Sequence, residues 1–314
     1  MLLATLGLVA GLALLAYASD QFVIGAARMA TALRLSAVVI GAVVVGFGTS
    51  APELLVSVLA AAQGQLDIGV GNVVGSNVAN LSLVLGVAAV VTPIRVHGKV
   101  LRREAPIALA AVVLFAVLVR DGGLTRLDGV VLLGALVAAL ALVITSARGG
   151  DPELESEVAV FVTAGPPSTR REGTRTLLGL LGTLAGAQVL VASATTIARE
   201  VGLAEGFIGL TVVAIGTSLP ELATAVQAAR RAETDLIVGN LLGSNLFNSA
   251  AVGAGMALAG PGTVTGGPLT GLALALMVGV TALATLLMVT GRTVVRWEGA
   301  LLLVGYLAAL PLLA

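Results

Sequence analysis

The chain has 314 residues, of which 58% are hydrophobic and 11% charged, with a formal net charge of zero and a mean hydropathy of +1.07. So few charges cannot cover a water-soluble globule of this size, so most of the surface must face lipid, and the charge balance suggests no nucleic-acid partner. With no cysteine and a single histidine, His97, disulfides and thiolate metal centres are excluded, and little is left for a zinc centre or a Ser-His-Asp triad.

The apolar runs are continuous and do not alternate every second residue, so they read as helices, the open-ended structure that satisfies its own backbone in hydrocarbon. Stretches long enough to cross a ~30 Å core are predicted near 2–19, 36–62, 70–94, 104–119, 127–147, 175–198, 205–229, 236–259, 268–290 and 297–313. The first lacks a basic flank and has a counterpart in the second half, so it reads as helix one and not as a signal peptide. Asp20, beside Ser19 and Gln21 at its expected end, reads as an interfacial structural acid before a ligand. The polar stretch Arg148 to Arg175 carries Asp151, Pro152, Glu153, Glu155, Glu157, Pro166 and Pro167, the composition of a solvated linker. The expected organisation is a five-helix repeat over 1–147, a cytoplasmic linker over 148–174 and a second five-helix repeat over 175–314.

Basic residues orient the chain. With the N-terminus outside, the inside loops collect Arg28, Arg34, Arg95, Lys99, Arg102, Arg103, Arg148, Arg170, Arg171, Arg175, Arg230, Arg231, Arg292 and Arg296. Only Arg120, Arg126 and Arg199 fall on the other side. That bias is the positive-inside signature and predicts an N-out/C-out, all-α membrane protein of ten transmembrane helices, multi-pass in the cell inner (plasma) membrane.

A shift of 168 positions lays Ile40–Asn80 on Ile208–Asn248 without a gap, with 21 of 41 positions identical. Five helices per half, an odd number, make the second copy enter the membrane from the opposite side, so the two copies form inverted-topology repeats. That is the architecture of secondary transporters, which bind substrate at the repeat interface and expose it alternately to each side.

Identity concentrates in two pieces. GTSAPE, Gly48 to Glu53, matches GTSLPE, Gly216 to Glu221; GNVVGSNVAN, Gly71 to Asn80, matches GNLLGSNLFN, Gly239 to Asn248. Proline inside a span removes a backbone hydrogen bond, which leaves carbonyls near Thr49 and Thr217 to face a cavity. Carbonyls, hydroxyls and the carboxylates of Glu53 and Glu221 together make an oxygen-rich cage suited to hard cations such as calcium or sodium. No Lys or Arg lies within either span to pair with the carboxylates, so a bound cation is their natural partner. Gly71, Gly75, Gly239 and Gly243 also suit close helix packing, and the two roles are compatible. Asp67 and Asp235 align with each other and are expected to cap the helices that follow.

The paired GTSxPE and GSNxxN motifs resemble the alpha-repeats of the cation/calcium exchanger superfamily, in the prokaryotic sodium/calcium exchanger branch. The resemblance implies that Glu53 and Glu221 are shared calcium ligands, helped by the main-chain carbonyls of Thr49 and Thr217. It places Ser50, Ser218, Ser76 and Ser244 at flanking sodium sites, Asn80 and Asn248 at the centre, and Gly46 and Ala214 as further carbonyl donors to sodium. The family often carries an aspartate where this chain has Asn248. Two glutamates alone balance one calcium or two sodium ions, whereas the resemblance implies three sodium ions.

The expectation is a sodium/calcium antiporter that takes no cofactor, catalyses no reaction, needs no obligate protein partner and deals with calcium, sodium and the lipid bilayer. Proton/calcium exchange is the alternative, and a passive cation channel ranks below both.

Overall fold

A computed structural model describes residues 2–33, 40–97, 103–147, 168–200, 216, 218–264 and 267–313. Its elements are almost all helical. The first half contains α1 (Leu2–Leu33), α2 (Ala51–Ala62), α3 (Leu66–Ala79), α4 (Leu85–Val91), α5 (Glu104–Val119) and α6 (Arg126–Ala147). The second half contains α7 (Thr169–Glu200), α8 (Leu219–Arg230), α9 (Thr234–Leu246), α10 (Gly253–Ala259), α11 (Leu272–Gly291) and α12 (Arg296–Leu313). Among the described residues, Leu2–Met29, Leu66–Val91, Arg126–Val143, Thr169–Ser193 and Leu272–Gly291 are each long and apolar enough to cross a membrane. The helices over Gly41–Thr49 and Ala51–Ala62 make a sixth such span, bent by 51°.

Two helices outrun their hydropathy. α1 continues beyond the expected end near residue 19 to Leu33, and α7 starts at Thr169, inside the expected linker. The overrun is held by polar contacts that a hydropathy profile does not register. Arg28 pairs with the buried Glu172 at 2.8 Å, Arg175 donates to Gln21 at 2.8 Å, and Arg231, just past α8, holds Asp20 at 2.6 Å. Asp20 is therefore a structural acid in mid-helix. α1 and α7 lie against each other along their length, because glycines remove the side chains that would separate them. A Cβ on Gly186 would stand 2.6 Å from the Leu15 nitrogen, and one on Gly179 would stand 2.5 Å from the Phe22 nitrogen.

Three segments widen into π-helical turns: Gly41–Gly46, Asn80–Val84 and Phe247–Val252. The last two follow α3 and α9, lead into α4 and α10, and contain Asn80 and Asn248. Such bulges rotate the register of a helix and frequently mark functional sites.

The apolar core mixes both halves. One cluster joins Phe22, Leu81 and Leu85 to Ile237 and Leu241; another joins Val70, Val73 and Phe115 to Met256 and Met277. Leu3, Leu127, Trp297 and Leu307 remain exposed, as a lipid-facing surface requires.

Four two-residue strands tie connecting segments together. β1 (Ile94–Arg95) pairs antiparallel with β4 (Thr293–Val294), and β2 (Gly123–Leu124) pairs antiparallel with β3 (Gly262–Thr263). The 168-residue shift carries Ile94 onto Gly262. A shift larger by two carries Gly123 onto Thr293, so the two pairings are counterparts of each other under the sequence repeat.

Asp67 and Asp235 do not cap their helices. They stand one residue inside the helix, the capping positions belong to Gln65 and Glu233, and neither of those makes a side-chain cap. Asp235 instead meets His97 Nδ1 at 2.8 Å, so the pair joins a connecting segment of the first half to α9.

Candidate cation-binding site

The sequence GTSAPE breaks its span at Ser50, whose φ of −83° and ψ of 10° end one helix and start the next. In the copy, Ser218, with φ −89° and ψ 4°, likewise starts the helix that follows. Proline is tolerated in a first helical turn because its missing N–H has no partner there anyway. Pro52 and Pro220 each occupy that turn of α2 and α8, so they begin a half-helix where a mid-helix kink was expected. Glu53 and Glu221 follow directly, still in the first turn, where the helix N-terminus favours negative charge.

Both carboxylates are buried, Glu53 at 1% and Glu221 at 0% exposure, and they are close enough to interact electrostatically. Ser50 of the first repeat donates to Glu221 Oε1 at 3.0 Å, and Ser76 lies beside Glu53. Among the described residues neither glutamate has a cationic partner. Glu53 Oε2, Glu221 Oε2, Asn80 Oδ1 and Asn248 Oδ1 are all buried with no hydrogen-bond partner. Buried polar atoms are almost always satisfied, so these unpartnered oxygens of the repeated motifs make this a candidate ligand site. No three acidic or histidine side chains converge among the described residues, so a cation here would rely on two carboxylates plus neutral oxygens. That donor set fits calcium and sodium, which are oxygen-seeking ions.

Thr49, Ser218, Ser76 and Ser244 are buried. The Ser244 hydroxyl donates to the Gly46 carbonyl at 3.2 Å across the repeat interface, and the Ser50 N–H donates to the same oxygen at 3.2 Å. The Gly46 carbonyl is therefore already engaged within the protein. Thr217 and Ala214 lie outside the described residues.

The motif glycines differ in how closely they are packed. A Cβ on Gly243 would press on the Ala42 main chain, whereas one on Gly75 would meet nothing within 4 Å.

A second tier of asparagines, not singled out from the sequence, supports the centre. Asn72 donates to Ser57 Oγ at 2.9 Å. Asn240 Oδ1 accepts from Thr49 Oγ1 at 3.4 Å, and its amide nitrogen donates to Thr224 at 3.3 Å. Asn80 donates to Asn245 Oδ1 at 3.0 Å, Asn245 donates to the Asn77 carbonyl at 3.2 Å, and Asn77 donates to Ser249 at 2.9 Å. The available signal was identity: each of these asparagines recurs in both decapeptides.

A helical membrane fold whose homologous halves bring two buried carboxylates and unpartnered amide oxygens together without a cationic residue has the features of a membrane transporter of cations. A family profile described as "Sodium/calcium exchanger protein" matches residues 3–145 and 175–313. The putative antiporter CaxA of Alkalimonas amylolytica is 38% identical over 98% of this chain and 97% of its own length. The sodium/calcium exchanger MaX1 of Methanosarcina acetivorans is 30% identical over 98% and 97%. A solved structure of the sodium-calcium exchanger NCX_Mj, soaked with sodium and strontium ions, superposes with a TM-score of 0.86 at 32% identity, covering 99% of this chain and 98% of that one. The chain belongs to the sodium/calcium exchanger family and is a membrane-embedded cation exchanger.

Proposed function

We propose that the chain is a secondary antiporter that exchanges calcium for sodium at one midplane site centred on Glu53 and Glu221, by alternating access. The four buried, unpartnered oxygens of Glu53, Glu221, Asn80 and Asn248 carry this reading. A buried carboxylate pair without a cationic residue needs a bound cation or protons to neutralise it, and oxygen ligands in this number suit calcium or sodium. Both ions compete for the same carboxylates, so they cross in separate half-cycles. Thr49, Ser50, Ser76, Ser218 and Ser244, with Thr217 and Ala214, complete the ligand set.

The architecture proposed is ten spans in two inverted repeats, 1–147 and 175–314, joined by a cytoplasmic linker over 148–174, in the inner membrane with both termini outside. The strand pairs support it. β1 and β4 both belong to connections placed inside by their arginines, and β2 and β3 both to connections placed outside. The contacts Arg231–Asp20, Arg28–Glu172 and His97–Asp235 likewise join residues assigned to the inside.

Calcium uptake into proteoliposomes under separately imposed sodium, potassium and proton gradients tests the coupling. Uptake driven by an outward sodium gradient is expected; uptake driven only by a proton gradient would replace sodium with protons as the neutralising ion. Reversal potentials in the same vesicles distinguish three sodium ions per calcium from two.

A further inference from the structure

The central site contains amides, and an amide has two faces. Its oxygen is a cation ligand, whereas its NH2 group repels a cation, and the two are nearly the same size. An asparagine that lines a cation pocket therefore works only if something fixes which end points inward.

At Asn80 the fixing group is visible. Its NH2 donates to Asn245 Oδ1 at 3.0 Å, which leaves Asn80 Oδ1 buried, unpartnered and available to a cation. Asn245 is itself fixed, because its NH2 donates to the main-chain carbonyl of Asn77 at 3.2 Å. A main-chain carbonyl only accepts, so it admits a single orientation of the Asn245 amide. Turning Asn245 over would set its oxygen against the Asn77 carbonyl and its NH2 against the NH2 of Asn80. All three asparagines are under 2% exposed, so water is not at hand to relieve either repulsion. The relay crosses the repeat interface, with Asn77 and Asn80 from the first copy and Asn245 from the second.

The pseudo-equivalent arrangement would have Asn248 donate to Asn77 Oδ1. That bond is not made: Asn77 gives its NH2 to Ser249 at 2.9 Å, and Asn77 Oδ1 and both amide atoms of Asn248 have no partner. The relay is complete on one side only.

We infer that Asn245 is a positioning residue: anchored by the Asn77 carbonyl, it holds the Asn80 amide with its oxygen toward the transported cation. The inference rests on the site proposed above and adds to it a residue that touches no ion.

The test is a double-mutant cycle read by calcium binding to the purified protein and by sodium-dependent calcium flux. Asn245→Leu is expected to raise the calcium concentration for half-saturation about tenfold while maximal turnover changes less than about twofold. In an Asn80→Asp background both carboxylate oxygens are equivalent and need no orientation, so adding Asn245→Leu should shift half-saturation by less than about twofold. An equal penalty in both backgrounds would make Asn245 merely structural and overturn the inference. Asn80→Asp alone must change calcium binding; if it does not, the site reading itself is wrong. In Asn245→Asp a protonated carboxyl keeps both bonds, its O–H donating to the Asn77 carbonyl and its other oxygen accepting from Asn80, so at a pH that holds it neutral it covers the case in which the leucine variant does not fold. It should not weaken calcium binding, and a loss as large as that of leucine would also overturn the inference.

Discussion

Glu53 and Glu221 stand in equivalent first turns, yet their surroundings differ. Glu221 receives a hydroxyl from the opposite repeat, whereas Glu53 lies near Ser76 of its own. Both must contribute charge if a divalent ion is to be stable in a poorly solvated place. Glu53→Gln and Glu221→Gln are each expected to abolish calcium exchange while leaving the melting temperature of the purified protein within a few degrees of the parent. Near-normal flux through either variant would contradict the site. These residues were legible in the sequence because each occurs twice, at a constant shift, inside apolar runs. The orientation of Asn80 was not, because spacing says nothing about which end of an amide faces a neighbour 165 positions away.

Among the helices, hydropathy located the apolar bodies but not their ends. α1 passes its expected end near residue 19 and continues to Leu33, and Asp20, Gln21 and Arg28 all find partners on α7 or at Arg231. Nor does a pattern of apolar residues register a π turn, which alters the register without altering composition. Glycine content announced close packing without saying where. At Gly243 a Cβ would stand 2.8 Å from the Ala42 carbonyl carbon, whereas at Gly134 it would meet nothing within 4 Å. Gly243→Leu is therefore expected to destabilise by about 1–3 kcal/mol and lower the melting temperature in detergent, and Gly134→Ala to leave it unchanged. Equal behaviour of the two variants would show that the α9 interface with the Gly41–Gly46 turn is looser than described.

For the molecule as a whole, the repeat predicts two related halves and the distribution of arginine their sidedness, and the strand pairs β1–β4 and β2–β3 exchange counterparts under that repeat. The strands themselves were illegible, since two residues carry no periodicity. Sidedness is open to direct measurement. Single cysteines at Ser168 and Gly262, in a chain that has none of its own, should react with impermeant maleimide from opposite faces of the membrane. Labelling of both from one face would rule out the ten-span arrangement.

The two strand pairs have a mechanical meaning as well. Each bridges the halves, one through the segment between α4 and α5 and the segment between α11 and α12, the other through the α5–α6 connection and the segment between α10 and α11. They act as hoops on a stave vessel, each tying a connection of one half to a connection of the other. α1 and α7 carry no strand of either hoop and rest mainly on each other. Under the alternating access proposed above, this pair is the part least restrained by the hoops from moving against the bundle.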